Sequence, residues 1–297
     1  VSVNNMKKIY NKSIPLVYWN EPNFGDILSP YILSRLSDRE IVHKECFRGN
    51  RYVVLETIKR LTGYIKKPLK SINYPFERNL LAVGSIISWG NNSSVVWGSG
   101  FMNTADKFNG EYRILAVRGK YTDEKLEKMG YNKCGVYGDP ALLLPLVYKP
   151  QVKKRHEIGI IPHITEADYF IGKYSEDYKV IDLRTFDVEQ VIDDICSCDC
   201  ILSTSLHGII VAHTYGIPAV WIKKNYINTD GFKFNDYFSS VDIPIYKGVE
   251  DYEELIVDKA SRDSFLETNK NIVLPNCSLE TLRTNLLSVA PFDVKLK

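Results

Sequence analysis

Short apolar runs alternate with longer amphipathic or polar stretches along nearly the whole chain. That alternation predicts strand–helix units feeding parallel sheets. In the first half, residues 16–19, 52–56, 80–87, 95–97 and 114–117 read as short buried strands. Ser29 followed by Pro30 has the form of an N-cap and a first-turn proline, predicting a helix over YILSRLS. Residues 122–129 predict a polar helix closed by Gly130. The rhythm breaks at YKPQVKKRHE, residues 148–157, where prolines and four consecutive basic residues interrupt it. Strands resume at 158–161, 180–185, 201–202 and 219–222. Between them, Val188, Val191, Ile192 and Ile195 form an i, i+3, i+4, i+7 stripe that predicts a helix. From residue 251 onward the pattern is mostly helical. The expected architecture is α/β: two Rossmann-like domains, 1–149 and 150–297, facing each other over a cleft. The last helices are free to pack back on the first domain.

A chain of 297 residues is long enough for two such cores. Its 38 Lys and Arg nearly balance 36 acids, which argues against a polyanion-binding surface as the main function. No apolar run reaches the length of a membrane span, the first residues lack the apolar core of a signal peptide, and no amphipathic basic helix stands out. The chain reads as cytoplasmic. Cys196, Cys198 and Cys200 form CSCDC, without the paired C-x2-C spacing of a zinc site. They read as free thiols at a helix end and strand start, and no metal is expected.

Ligands of such sheets sit beyond the carboxyl ends of the strands, so those loops carry the candidate chemistry. In NEPNFGDILSP, Gly25 allows a tight turn and Asp26 either caps the helix or aims a carboxylate into the cleft as a base. Gly84 and Gly98-Ser99-Gly100 follow apolar strands and let backbone approach a ligand. Neither forms a GxGxxG fingerprint with its distant acid, so a nicotinamide site is poorly supported. Arg118, in LAVRGKYT, follows a buried strand, a position suited to a phosphate or carboxylate fork or to an ion pair between domains. Asp139 precedes a proline in GDPALLLP and is most simply an N-cap, while His163 in IIPHI ends a strand and could line the cleft.

The most unusual stretch is STSLHGIIVAHTYGIPAVWI, residues 203–222. Ser203, Thr204 and Ser205 form a hydroxyl-rich turn. Leu206, His207 and Gly208 then open a helix apolar on nearly every side, which Gly216 and Pro218 end. Backbone N–H groups, hydroxyls and an imidazole converge at the positive end of a buried helix, which suits an anionic group such as phosphate. His213 reads as a core histidine. Lys223 and Lys224 follow the next strand and can add positive charge.

NFGDILSPYI, LAVRGKYT, VYGDPALL, GIIPH, the 203–222 segment and FKFNDYF together resemble the polysaccharide pyruvyl transferase family. The match runs in order over about residues 16–240. The resemblance implies a fold similar to GT-B glycosyltransferases and phosphoenolpyruvate as donor substrate, with no separate cofactor. It also implies an acceptor saccharide, lipid-linked in some cases, that becomes a cyclic pyruvate ketal in polymer synthesis. A lipid-linked acceptor would bring the protein to the inner membrane face as a peripheral partner. The family arginine falls on Arg118 and its Leu-His pair on Leu206 and His207. Many members carry arginine where this chain has Ser205, so one cation is missing from the phosphate pocket. That loss weakens binding unless Lys223, Lys224 or His163 compensates.

On this reading His207 is the general acid, Arg118 holds the donor, and Asp26 accepts a hydroxyl proton, with Asp139 as its alternative. Two rivals remain. A nucleotide-sugar glycosyltransferase would share the helix, but commonly carries a ribose-gripping glutamate inside it. No acid lies between Gly208 and Gly216. A non-catalytic carbohydrate- or phosphate-binding protein would share the scaffold without turnover.

Overall fold

The computed structural model describes residues 9–45, 50–107, 113–224 and 227–296. Two parallel sheets organise them, consistent with two Rossmann-like domains. The first contains β1 (Ser13–Val17), β2 (Glu40–Lys44), β3 (Asn79–Leu81), β4 (Ser94–Trp97) and β5 (Arg113–Ala116), in the order β2-β1-β3-β4-β5. The helices of this half are α1 (Phe24–Ser37), α2 (Asn50–Leu61) and α3 (Lys120–Lys128).

The second sheet contains β6 (His156–Ile161), β7 (Lys179–Val180), β8 (Cys198–Ser203) and β9 (Ala219–Trp221), in the order β7-β6-β8-β9. Around it lie α4 (Ala167–Tyr174), α5 (Val188–Cys196), α6 (Leu206–Thr214) and α7 (Phe232–Ser240). The tail folds as α8 (Glu253–Val257), α9 (Lys259–Thr268), α10 (Lys270–Val273) and α11 (Leu279–Ser288).

Alternation along each strand sends neighbouring side chains to opposite faces. Leu16, Leu80 and Val95 enter one apolar cluster, while Val17, Leu81 and Val96 enter another beneath Leu126 of α3. The first cluster continues through α1 and α6 to Ile201 of the second sheet, so one core joins the two halves. On the far face of the second sheet, Ile158, Ile160 and Leu202 pack against Phe170 of α4 and Leu255 and Ile256 of α8. The junction is tied by Phe24 N donating to Leu183 O at 2.8 Å and Tyr31 donating to Glu189 at 2.8 Å. The tail returns to the first half, where Trp97 Nε1 donates to Leu286 O at 2.9 Å. Arg283 of α11 reaches Leu142 O at 2.7 Å and Thr214 O at 3.0 Å, clamping both halves.

Several expectations are corrected. Residues 52–56 are not a strand; they lie inside α2. Their β-branched and aromatic composition imitates a buried strand, but most of these side chains face solvent. The helix expected at Ser29-Pro30 starts earlier, at Phe24, with Asn23 as N-cap and Pro30 inside it. Pro30 is the seventh residue of the helix, past its first turn, so it removes one amide that would otherwise bond to the Asp26 carbonyl. The 80–87 strand stops at Leu81, and the 180–185 strand shrinks to Lys179–Val180. β2, EIVHK, has too few buried residues to stand out in the sequence.

Candidate active site at the junction of the two sheets

The two sheets share one topological feature. Each has its second strand at an edge, so successive connections leave in opposite directions between β1 and β3 and between β6 and β8. The crevice beyond the carboxyl ends at such a reversal is where open α/β sheets receive ligands. The loop after β1 brings Asp26, and the loop after β3 brings Gly84 and Ser85. The loop after β6 brings His163, and β8 is followed by Thr204 to His207. In the second sheet the two loops are tied directly: His163 N donates to Thr204 Oγ1 at 2.7 Å.

These two reversals meet. An added Cβ at Gly25 would lie 2.3 Å from His207 Nδ1. Only glycine lets the first turn of α1 come this close to the imidazole. α6 is hydrophobic on every side and buried accordingly. Eight of its nine residues are buried, and His207 is the ninth, with 15% of its side chain exposed. The chemistry of this helix is therefore confined to its first turn.

His207 Nε2 lies 3.9 Å from Asp139 Oδ2, too far for a hydrogen bond. Both atoms are buried and neither has another partner among the described residues. Asp139 Oδ1 meanwhile accepts from Ala141 N at 2.9 Å, so one carboxylate caps the Pro140–Leu146 turn and also confronts the imidazole. Burial pushes the Asp139 carboxyl up to about 6. It pushes His207 down to about 3, assisted by the positive charges of Lys233 and Arg118.

Lys233, from α7, is the residue that sequence reasoning passed over. Within FKFNDYF it looks like an ordinary helix lysine, yet it is 6% exposed. It makes no hydrogen bond or salt bridge among the described residues. Its charge is felt at Asp26, His163 and His207 alike. Burial lowers its own pKa to about 8, with Arg118 acting in the same direction and Asp26 opposing. Asp26 is raised to about 7 by burial, with Lys233 holding it back, and Asn23 Nδ2 donates to it at 2.6 Å. His163 is lowered to about 4 by burial and by Lys233. Lys233 is thus a desolvated cation, free of hydrogen bonds and salt bridges among the described residues, whose charge reaches two imidazoles and the Asp26 carboxyl.

The other sequence candidates take different places. Arg118 is not a free fork. Its Nε donates to Asp236 at 2.9 Å, Nη1 to Ser85 Oγ at 2.5 Å and Nη2 to Phe101 O at 2.6 Å, and no part is exposed. It locks α7 to the first half, with Thr122 N and Oγ1 also donating to Asp236. The Ser203 hydroxyl is spent on the turn, its one hydrogen shared between the carbonyls of Ile161 and Ser205, each at 2.9 Å, while it accepts from Ser205 N at 3.0 Å. Leu206 belongs to the core. Gly208 is required by packing, since a Cβ there would sit 2.5 Å from Ser203 Oγ. Ser205 is the N-cap position of α6, and its side chain makes no capping bond. His213 is a core histidine between Tyr237 Oη and Val273 O, each at 3.1 Å.

Lys223 and Lys224 line a neighbouring cavity of about 990 Å³, together with Tyr169, Thr204, Trp221 and Phe234. Lys223 is paired with Glu250 at 2.9 Å, and the Lys224 ammonium lies 4.0 Å from the centre of the Tyr169 ring. Two of its lining residues, Thr204 and Phe234, adjoin Ser205 and Lys233 in the chain. The thiols Cys198 and Cys200 are buried and Cys196 is half-buried, all free.

The sequence profile of the polysaccharide pyruvyl transferase family matches residues 59–225, more than half of the chain. The chain belongs to the polysaccharide pyruvyl transferase family. The matched span contains Arg118, Asp139, His163 and His207; Asp26 and Lys233 lie outside it. A 27% identical relative is the uncharacterized protein L143 of Acanthamoeba polyphaga mimivirus. The alignment covers 240 residues, 77% of this chain and 75% of the viral protein. No solved structure matches. Among the described residues no helix is long and apolar enough to cross a membrane. Membership in the pyruvyl transferase family thus joins a fold whose two sheet reversals converge on His207.

Proposed function

We propose that this pyruvyl transferase family member moves the three-carbon unit of phosphoenolpyruvate onto two hydroxyls of a saccharide. The products are a cyclic ketal and inorganic phosphate. The observation that carries this reading is the buried Lys233 cation, without a hydrogen bond among the described residues and with its charge felt at His207, beside a helix whose buried interior offers no acid for a ribose. The phosphate or carboxylate of the donor pairs with Lys233, a role the sequence had suggested for Arg118. Arg118 acts instead as a positioning residue that holds α7 in place.

In the free protein the imidazole is neutral. A phosphate dianion beside it opposes the charges of Lys233 and Arg118 and raises its proton affinity. His207 then protonates the methylene carbon of the donor while a saccharide hydroxyl attacks the neighbouring carbon. Asp26, poised near neutrality, takes the hydroxyl proton. The C–O bond to phosphate then breaks, and a second hydroxyl closes the ketal. Of the two hydroxyl protons, one ends on the methyl carbon and the other on phosphate. The cavity beside Thr204 is far larger than the donor needs and is lined by Trp221 and Tyr169, so it suits the acceptor sugar. On this reading the acceptor lies against the second sheet. The arrangement needs no metal to balance the steps.

A donor screen by thermal shift tests the reading. Phosphoenolpyruvate is expected to stabilise the protein by about 2.7 kcal/mol at a hundredfold excess over Kd. Nucleoside diphosphates should not stabilise it comparably. Stabilisation by a nucleotide and not by phosphoenolpyruvate would favour a nucleotide-sugar transferase. Donor binding without phosphate release in the presence of acceptor saccharides would leave only a binding protein.

A further inference from the structure

The face of α2 that points away from the protein is apolar. Val53 and Arg60 turn inward, while Val54, Leu55, Ile58 and Leu61 form a helical stripe in solvent. The exposed surface continues past the helix through Tyr64 and Phe76, which are 81% and 82% exposed. Eight of the fourteen large exposed hydrophobic side chains among the described residues lie between 52 and 76. Such a concentration is unusual on a surface that faces only water.

The same segment is basic. Residues 51–70 carry six Lys and Arg against one Glu, in a chain whose net charge is only +2. The one acid, Glu56, and the buried Arg60 are paired at 3.0 Å, while Lys67 meets Glu45 at 3.3 Å and Lys70 meets Glu40 at 3.7 Å from outside the segment. Lys59 and Lys66 make no ion pair among the described residues.

From this surface we infer that α2 and the segment to Phe76 dock on an anionic phospholipid bilayer. The apolar stripe enters the interface and the flanking lysines meet the headgroups. Pairing of this face with a second copy would set its cations against themselves in an isologous contact, which argues for lipid. The inference is independent of the catalytic reading, since none of these residues belongs to the junction site.

Co-sedimentation of the full chain with vesicles tests it. Binding is expected to vesicles containing phosphatidylglycerol, to weaken with salt, and to be weak on pure phosphatidylcholine. Lys59→Gln and Lys66→Gln should each lower partitioning about fivefold. Ile58→Glu should abolish it with an unchanged circular dichroism spectrum, because Ile58 contributes nothing to the core. Absence of binding to phosphatidylglycerol vesicles would overturn the inference, as would binding unaffected by these variants. A wild-type dimer in gel filtration that Ile58→Glu converts to monomer would assign the face to a second copy instead.

Discussion

Replacing His207 with alanine is expected to lower turnover at saturating donor by about 10²–10⁴-fold while leaving the fold intact. The size of the effect follows from asking one group to supply the proton to carbon, the hardest step of ketal formation. The survival of the fold follows from packing. His207 is the sole residue of α6 that is not fully buried, and its Nε2 bonds to nothing among the described residues. Its loss removes a desolvated polar group without opening the core, and stability is expected to stay the same or rise slightly. Phosphate release from phosphoenolpyruvate, measured with denaturation midpoints on the same preparations, checks both halves. A folded variant within fivefold of the parent rate would remove His207 from catalysis.

The second large effect is on stability. Arg118→Ala is expected to cost about 3–5 kcal/mol, because it strands Asp236 in the interior. Arg118 and Asp236 are both fully buried, and their contact joins α7 to the first half of the chain. Asp236→Ala should be similarly damaging. The double variant should lose less than the sum of the two, since removing both charges leaves neither uncompensated. Urea denaturation of the four proteins measures this directly. Additive losses would mean that the two side chains act independently.

These two results separate what the sequence made visible from what it hid. The His207 segment was legible because hydroxyl residues and an imidazole leading into a wholly apolar helix make little sense in a core alone. Asp139 was legible as an N-cap, and it is one; its second oxygen acquires its meaning only from His207, distant in the chain. Arg118 stood out for the right reason, a cation with no excuse for burial. Its partner, Asp236, lies 118 positions away and could not be paired with it by inspection. Lys233 was invisible, since nothing local distinguishes a buried lysine of α7 from the solvated ones that precede it.

The same physics explains the errors of secondary structure. α2 was misread because strand composition and helix composition converge in a run such as Tyr-Val-Val-Leu, and burial normally decides between them. Here burial gives the opposite cue, with the apolar side chains outside. The surface that defeated the pattern is the one that suggests a membrane partner. The α/β class and the succession of units survived because they rest on many segments rather than one.

The central claim is that the imidazole at the head of α6 is neutral until a small phosphorylated acid arrives beside it. Nitrogen-15 NMR of labelled histidine tests this most directly. The chain has only five histidines, and the His207→Ala spectrum identifies the signal. At pH 7 the account predicts a neutral ring in the free protein and an imidazolium once phosphoenolpyruvate saturates the site. A ring that remains neutral in the donor complex, or a signal that the donor does not move, would contradict it.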